Sequence, residues 1–413
     1  MAYNPDDPAV RKLAREVADE LTGNILPFWQ SRVHTPLAPG RFLGRVTGRG
    51  EADYGAPLGA ILISRVLWAF AAAYRVVGQE SYLEVADDAK RLIIDHFMDP
   101  EYGGVYWAVD GRNPSARIDD KKQIYACGFA IYGLSEMYRA CGDEEALDCA
   151  KRLFGSIERH SHDCRLGGYF EAFARDWRPI GDMRLSDKDE NDAKTMNTHL
   201  HILEPYTNLY RVWKDAELEG RIRELVDIFC GRILDPATGH LRLFFDEKWN
   251  CHRDIISYGH DIEASWLLHE AALALGDAPT LARVEPVVKR IAAASAEGLT
   301  PEGAMVYENL VDRGHLDTDR HWWVQAENVV GNFNLYQHFG DLTALEAALK
   351  CWEYVKGNLV DRSQGEWHWS VRADGSVNLD DDKAGFWKCP YHNGRMCLEI
   401  MERAATGDGR ARD

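Results

Sequence analysis

The chain has 413 residues, of which 48 are Lys or Arg and 66 are Asp or Glu, and its formal net charge is −18 at pH 7. So acidic a chain is a poor partner for nucleic-acid phosphates or anionic lipid, because both are bound through cationic side chains. Hydrophobic residues make up 46% of the sequence, enough for a large core, and no apolar run approaches the roughly 20 residues needed to cross a bilayer. The sequence therefore predicts a folded protein that binds neither nucleic acid nor membrane.

The cysteines and the N-terminal segment indicate a reducing compartment. The nine cysteines are an odd number and form no CxxC pair, which argues against a disulfide framework and against a zinc ribbon. The first residues are polar and acidic and lack the apolar stretch of a secretory signal. We therefore expect a cytoplasmic protein.

Apolar side chains recur at steps of three and four residues along almost the whole chain, which is typical of α-helices. In chain order, the predicted helices cover residues 8–30, 57–77, 79–97, 123–140, 143–160, 196–213, 216–232, 258–275, 279–297, 321–338, 341–361 and 390–404. Gly-Asp or Gly-Gln pairs separate several of them. Glycine favours the left-handed position after a helix and Asp favours the next N-cap, so these are short turns between antiparallel helices.

The helices form a repeat of roughly 65 residues, with the first members of the pairs beginning near residues 57, 123, 196, 258, 321 and 390. One class is apolar all round, as in 258–275, and the other has a charged face, as in 143–160. Helices of the first class are buried and those of the second face water. The pattern predicts an all-α fold in one domain, residues 1–413, as an (α/α)6 barrel of six inner and six outer helices. An open solenoid is the alternative, which would need polar helices at both ends.

Segments rich in Gly, aromatic and β-prone residues follow the outer helices. They are residues 102–108, 167–173, 239–245, 304–308 and 365–371. We interpret them as short strands or hairpins at one rim of the barrel, where they would place aromatic and carboxylate side chains over its mouth.

Polar side chains stand near the starts of otherwise apolar inner helices. Three are histidines on different repeats, His201, His260 and His392, and Arg65 is a fourth. A polar group on the inward face of a closed barrel costs about 1–3 kcal/mol unless it is paired. Convergence of several such groups at one level therefore indicates a functional cavity.

The segment 197–204 carries two histidines that face different sides of one helix. His201 shares a face with Asn197 and Glu204, so we assign it inward and assign His199 a structural role. Pro205 cannot donate a hydrogen bond to the carbonyl four residues back, that of His201, and so predicts a kink beside the site.

Several chemistries compete for these residues. Metal binding is disfavoured, because the His-x-x-Glu pairs at 201–204 and 260–263 reverse the Glu-x-x-His order of di-metal bundles and no HExxH occurs. No GxGxxG or P-loop indicates a nucleotide cofactor. Inverting glycoside hydrolysis needs two opposed carboxylates, but it leaves the histidines unexplained. The candidate carboxylates are Glu204, Glu263, Glu308 and Glu327.

Histidine pairs suit reversible proton transfer near neutral pH, and a nearby arginine can hold a developing oxyanion. Trp322 and Trp387 would supply aromatic walls at the rim. The set describes proton abstraction next to a carbonyl, which in a sugar is epimerisation or aldose–ketose isomerisation. A carbohydrate-binding barrel without activity is the non-enzyme alternative.

Six spaced motifs make the chain resemble the N-acylglucosamine 2-epimerase superfamily, and its disaccharide 2-epimerases in particular. They are RVLWAF (65–70), NTHLHILE (197–204), YRVW (210–213), GHDIEASW (259–266), DTDRHWWVQAE (317–327) and WKCPYHNGR (387–395). The resemblance covers residues 65–395. It implies an (α/α)6 barrel, a reaction without cofactor or metal, and a substrate with a reducing-end glucose unit.

The resemblance also implies residue roles. His260 and His392 would exchange the C2 proton from opposite faces through an enediolate, and Glu263 would pair with His260. His201 and Arg65 would hold O1 and O2 of the intermediate. The substrate-binding positions would be Asn197, Trp322, Trp387, Tyr125, Glu308 and Glu327.

We therefore expect reversible 2-epimerisation of the reducing-end glucose of a β-1,4-linked disaccharide such as cellobiose. Mannobiose or N-acylglucosamine 2-epimerisation and aldose–ketose isomerisation are alternatives, and an inverting glycosidase is a more distant one. The expected assembly is a monomer or weak homodimer.

Overall fold

The computed structural model describes residues 3–405, and helices in this part of the chain alternate between an inner and an outer ring. We number both rings in chain order. The inner helices are Ala60–Val77, Ile124–Cys141, Met196–Val212, Tyr258–Leu275, Trp322–Phe339 and His392–Ala405. The outer helices are Pro8–Glu20, continued through Leu21–Ile25, Leu26–Phe28 and Trp29–Val33; Glu80–Leu92, continued through Ile93–Phe97; Glu144–His160; Ala216–Ile228, continued through Phe229–Ile233; Ala278–Ser295; and Leu342–Asn358.

The inner ring is closed. Each inner helix packs against the next one, and the sixth contacts the fifth and the first as well as the N-terminal outer helix. The hydroxyl of Tyr3 donates to the backbone carbonyl of Arg403 at 2.8 Å, which ties the two ends of the described chain together. The predicted (α/α)6 barrel is confirmed, and the open solenoid is wrong because the first helix supplies the outer partner of the last.

Burial separates the two helix classes as their composition predicts. Every residue from Ala60 to Ala73 of the first inner helix is buried, whereas the outer helix Glu144–His160 buries only one face. Within the described residues, Ala60–Val77 is the one helix with the length and hydropathy of a membrane span, and 78% of it is buried inside the barrel. It is a core helix, since it packs against the second and sixth inner helices and the outer helix Glu80–Leu92.

Short turns end four of the inner helices as predicted. Gly142 (φ 75°) and Gly276 (φ 72°) adopt the left-handed conformation after the second and fourth inner helices. Asp143 and Asp277 then cap the following outer helices by accepting hydrogen bonds from backbone N–H groups. These local signals explain why the predicted helix ends lie within a few residues of the observed ones.

The rim strands are shorter than predicted. The five segments end in Ala108–Val109, Ala172–Phe173, Phe244–Phe245, Glu308–Leu310 and Ser370–Val371. Each pairs antiparallel with a strand that leads directly into an inner helix; these partners are Leu58–Gly59, Lys122–Gln123, Lys194–Thr195, Ile255–Ser257 and Arg320–His321. Arg45–Val46 and Ala52–Asp53 form a further strand pair. Arg117–Asp119 and His315–Asp317 are also strands. Pairing stops early because the first half of each segment is used for a turn and the partner strand becomes helix.

Two histidines in the C-terminal halves of neighbouring inner helices, His269 buried and His338 half-buried, predict an acid-sensitive fold. The rings of His269 and His338 lie 4.6 Å apart. Burial, with the charge of Arg403, lowers the pKa of His269 to about 4 and that of His338 to about 3. The unfolded chain takes up these protons near pH 6.5, so it binds more protons than the folded chain below that pH. Stability is therefore expected to fall as the pH falls from 6.5 towards 4.

Urea unfolding at pH 7, 6 and 5 measures this effect. As the pH falls, the free energy of unfolding should decrease less steeply in the double variant His269→Asn, His338→Asn than in the parent. The two slopes should differ by about 1–2 kcal/mol per pH unit near pH 5. Exposed His252 offers the matched control, since His252→Asn should keep the parent's slope. An unchanged slope in the double variant would contradict the assignment.

Candidate active site

The predicted site lies at the mouth formed by the N-terminal ends of the inner helices, where the rim strands enter them. His392 begins the sixth inner helix. Its Nδ1 is 2.7 Å from Oε1 of Glu327, and because a carboxylate only accepts, Nδ1 carries the proton and Nε2 keeps its lone pair. Burial lowers the pKa of His392 well below 6.5, and the charges of Arg65 and Arg395 lower it further. His392 is therefore a neutral base at neutral pH.

His260 lies in the first turn of the fourth inner helix, and its ring and the ring of His392 both lie beside the same indole. The ring of Trp323 lies 4.8 Å from that of His260 and 5.5 Å from that of His392. Burial, then the neighbouring His201, lowers the pKa of His260 to about 3. Nδ1 of His260 is 2.8 Å from the hydroxyl of Ser257. Two neutral imidazoles from different repeats thus stand at one place, as the sequence predicts.

The predicted pairing of Glu263 with His260 is wrong. Glu263 instead accepts a hydrogen bond from Nη2 of Arg395 at 2.6 Å, and its Oε1 lies 3.9 Å from Nδ1 of His392. Although the spacing of three residues puts Glu263 and His260 on one helix face, Glu263 lies one turn deeper. A fully buried guanidinium at that level is a stronger partner than a neutral imidazole.

His201 points inward and His199 does not, as predicted. Nδ1 of His201 is 3.1 Å from Oε2 of Glu204, and its ring lies 5.0 Å from that of Tyr125. His199 is held in the wall by backbone contacts, with Nε2 accepting from the amide of Tyr169 at 2.9 Å. It serves the packing of the rim.

The kink predicted at Pro205 is present. His201 leaves the helical conformation (φ −90°, ψ 15°) within the helix Met196–Val212. The freed carbonyl of His201 points at Gly128 on the second inner helix, where a Cβ would lie only 2.4 Å from the oxygen. The proline and the glycine together let the helix bend beside the site.

Arg65 is buried on the first inner helix with aromatic rings around its guanidinium. Nη2 donates to the hydroxyl of Tyr125 at 2.7 Å, and the group lies 4.1 Å from the ring centre of Phe129 and 4.6 Å from that of Tyr391. Among residues 3–405 its Nε has no hydrogen-bond partner and its guanidinium no carboxylate partner. An arginine in that state is suited to an oxyanion.

Arg395 joins three buried carboxylates beneath the histidines. Its Nη1 contacts Glu204, and its Nη2 donates at 2.6 Å to both Glu263 and Glu327. Burial opposes the charge of Glu204, but Arg395 and His201 outweigh it and lower the pKa of Glu204 to about 2. Burial and the adjacent Glu327 raise the pKa of Glu263 well above its usual value. Burial raises the pKa of Glu327 as well, and Arg395 opposes the rise at both carboxylates.

Two of the predicted substrate-binding groups offer unsatisfied polar atoms. Trp322 lies with its ring 6.4 Å from that of His392. Within the part of the chain that the structure describes, neither its buried indole N–H nor the buried amide oxygen of Asn197, one turn before His201, has a hydrogen-bond partner. Buried polar atoms are rarely left unpaired, so these two are candidates for sugar hydroxyls.

The remaining rim residues lie farther out. Trp387 is half-buried, 6.3 Å from Tyr125 between ring centres. Glu308 is opposite Ser257 in the strand pair, and burial and Asp317 raise its pKa to about 7. Trp387 is thus near Tyr125, and Glu308 is on the strand beside Ser257.

The comparison with protein families decides the identity of this barrel. The family model for N-acylglucosamine 2-epimerase (GlcNAc 2-epimerase) matches residues 42–394. The chain belongs to the N-acylglucosamine 2-epimerase family.

Relatives of this family match the chain over almost its full length. It is 59% identical to the cellobiose 2-epimerase of Bacteroides fragilis over 389 residues, covering 94% of this chain and 98% of that one. It is 40% identical to a cellobiose 2-epimerase of Ruminococcus albus, with the same coverage. The solved structure of cellobiose 2-epimerase from Bacillus thermoamylovorans superposes with a TM-score of 0.89 at 40% identity and covers 95% of this chain and 100% of that one.

One group in the described part of this N-acylglucosamine 2-epimerase family member has the spacing of metal ligands. Glu263, Glu327 and His392 offer ligand atoms that all lie within 4.8 Å of one another. Arg395 already places Nη2 2.6 Å from both carboxylates, so a guanidinium stands where a metal cation would bind. The set therefore fits an internal ion pair better than a resident metal.

Sequence reasoning missed four residues of the epimerase site: Ser257, Trp323, Tyr391 and Arg395. A signal existed for Arg395, which lies three residues after His392 on the same helix face and is the cation that buried glutamates require. Tyr391 donates to both carboxylate oxygens of Glu204 at 2.6 Å, a contact between distant repeats with no local signature.

Proposed function

We propose that this protein catalyses the reversible 2-epimerisation of the reducing-end glucose unit of cellobiose, giving 4-O-β-glucosyl-mannose. The observation that carries the proposal is the pair His260 and His392, two neutral imidazoles against one indole. Each engages a partner through Nδ1, and among the described residues neither Nε2 has one. The 59% identity to a cellobiose 2-epimerase supports the substrate.

In the proposed mechanism one imidazole removes the C2 proton of the open-chain sugar. The C–H electrons form the C1–C2 double bond, and the carbonyl electrons go to O1, giving an enediolate. Arg65 and His201 hold O1 and O2. The other imidazole takes up a proton from solvent and returns it to C2 from the opposite face, and the carbonyl reforms. The reverse reaction exchanges the two roles.

The remaining side chains bind the substrate or support the bases. We assign Glu327 to the support of His392, since its Oε1 contacts Nδ1, and we assign Glu263 to Arg395. The proposed sugar contacts come from Asn197, Trp322, Trp387, Tyr125 and Glu308.

The same site bears on the alternatives. One enediolate can be protonated at C1 or C2, so a minor aldose–ketose isomerisation is expected. The inverting glycosidase is disfavoured because Glu204, Glu263 and Glu327 all bind Arg395 on one side of the site rather than facing each other across a sugar.

Product analysis in D2O tests the proposal. The protein is incubated in parallel with cellobiose, mannobiose, N-acetylglucosamine and mannose. We expect epimerisation of cellobiose, with deuterium at C2 of its reducing unit. Binding without conversion would favour the carbohydrate-binding barrel, and release of monosaccharides would favour a glycosidase. Conversion without deuterium at C2 would exclude exchange through solvent-accessible bases.

We further propose that residues 1–413 act as one catalytic domain that needs no cofactor and binds neither nucleic acid nor membrane. The nine free cysteines support a cytoplasmic location. Monomer or weak homodimer remains our prediction for the assembly.

A further inference from the structure

Ser257 stands at the N-cap of the fourth inner helix, yet its side chain caps nothing. The residue is 4% exposed, and its hydroxyl lies 2.8 Å from Nδ1 of His260. At the same place on the third inner helix, the side chain of Thr195 does cap, accepting from the amide of Thr198 at 3.1 Å. The hydroxyl of Ser257 is thus committed to the imidazole and not to the helix end.

The partner of His260 differs in kind from those of the other two site histidines. Nδ1 of His392 and Nδ1 of His201 each face a carboxylate. A carboxylate stabilises an imidazolium by charge, whereas a hydroxyl contributes only a dipole. An imidazolium held by a hydroxyl therefore releases its proton more readily.

We propose that Ser257 is the positioning residue of His260. Its hydroxyl accepts from Nδ1–H and holds the ring against Trp323, which leaves Nε2 to meet the substrate. Because the hydroxyl is uncharged, protonated His260 returns its proton to C2 more readily than an imidazolium paired with a carboxylate. The inference rests on the proposed epimerisation and adds a residue to it. Only the Nε2 proton moves between His260 and C2, and Ser257 forms no bond with substrate.

Charged and titratable groups on the neighbouring elements also face His260 and share in any pH response. They are His201 of the third inner helix, Glu327 of the fifth and His392 across Trp323. Glu308 lies opposite Ser257 on the paired strand. The test must therefore change Ser257 alone and compare the profile with that of the parent.

Kinetics of Ser257→Ala and Ser257→Thr on cellobiose test the positioning role. Loss of the hydroxyl should lower kcat about 10- to 100-fold, as loss of an orienting partner commonly does, and change KM less than about twofold. The threonine variant keeps the hydroxyl on an extended backbone (φ −109°, ψ 96°) that suits a β-branched residue, and it should restore most of kcat. An unchanged kcat in Ser257→Ala would overturn the proposal.

The pH profile of Ser257→Asp tests the part played by charge. A carboxylate at this position should move the acid limb of kcat/KM upward by about 1 pH unit or more, because an opposite charge favours the imidazolium. A merely structural serine would leave that limb at the parent's position, and this result would also overturn the proposal.

Asp277→Ala provides the matched control, since Asp277 caps the following outer helix by accepting from Thr280 N at 3.0 Å and lies outside the site. It should lower Tm and leave kcat unchanged, whereas Ser257→Ala should lower kcat and leave Tm unchanged. The proposed function and the role of Ser257 can be refuted separately. If the parent enzyme does not convert cellobiose, the function is refuted. If the parent and Ser257→Ala convert it at equal rates, only the role of Ser257 is refuted.

Discussion

Replacement of His392 or His260 by alanine lowers the rate of cellobiose epimerisation by about 10²- to 10⁴-fold, the contribution expected of a positioned general acid or base. Both rings lie beside Trp323 in the first turns of their helices, and neither histidine is part of the hydrophobic core, so the helical circular dichroism should not change. The measurement is initial rate by product chromatography. Epimerisation at the parent's rate in either variant would remove that histidine from the mechanism.

Deuterium exchange sharpens the same test. In the proposed mechanism the two bases act on opposite faces of C2, so residual exchange should be confined to one epimer in each variant, and to opposite epimers in the two. His269→Asn is the matched control, because His269 lies on the same inner helix as His260 but contacts His338 and Phe339 instead of the site. It should keep the parent's rate at neutral pH. Exchange into the same epimer in both variants would contradict the two-sided arrangement.

Arg395→Met should destabilise the fold by about 3–5 kcal/mol, because it leaves three buried carboxylates without their shared cation. Arg395 is 0% exposed and contacts Glu204, Glu263 and Glu327. The free energy of unfolding from urea titration measures the effect.

Two further variants separate charge from packing at this position. Glu204→Gln added to Arg395→Met removes one stranded charge and should recover part of the lost stability. Arg178→Met removes an arginine whose side chain is 80% exposed and should change stability by less than about 0.5 kcal/mol. A small loss in Arg395→Met, or no recovery in the double variant, would show that the carboxylates do not depend on the guanidinium.

Helix period and turn signals predict the barrel almost completely, because each acts within a few residues. The range predicted for 258–275 is the observed helix, and glycines such as Gly142 and Gly276 stand at the predicted helix ends. The predicted bounds of the rim strands are less accurate, since a two-residue strand has too few side chains to show an alternating pattern.

Within the site, the sequence predicts which residues converge more reliably than it predicts their partners. His201 faces inward because the side of a helix follows from spacing alone. The partner of Glu263 could not be chosen the same way, because His260 is near it in sequence and Arg395 is near it only after the ring closes. Positions near the starts of inner helices predict that His260 and His392 converge, whereas their roles as the two bases follow only from the motif resemblance.

Closure of the ring by its first and last helices bears on how the enzyme matures. The helix His392–Ala405 carries both a proposed base and the cation of the carboxylate cluster, and it packs against Pro8–Glu20. During synthesis the earlier repeats emerge first and must wait with Glu204, Glu263 and Glu327 lacking their counter-ion. The catalytic centre is therefore completed only when the helix His392–Ala405 docks. A nascent chain in which that helix has not yet docked is expected to be inactive.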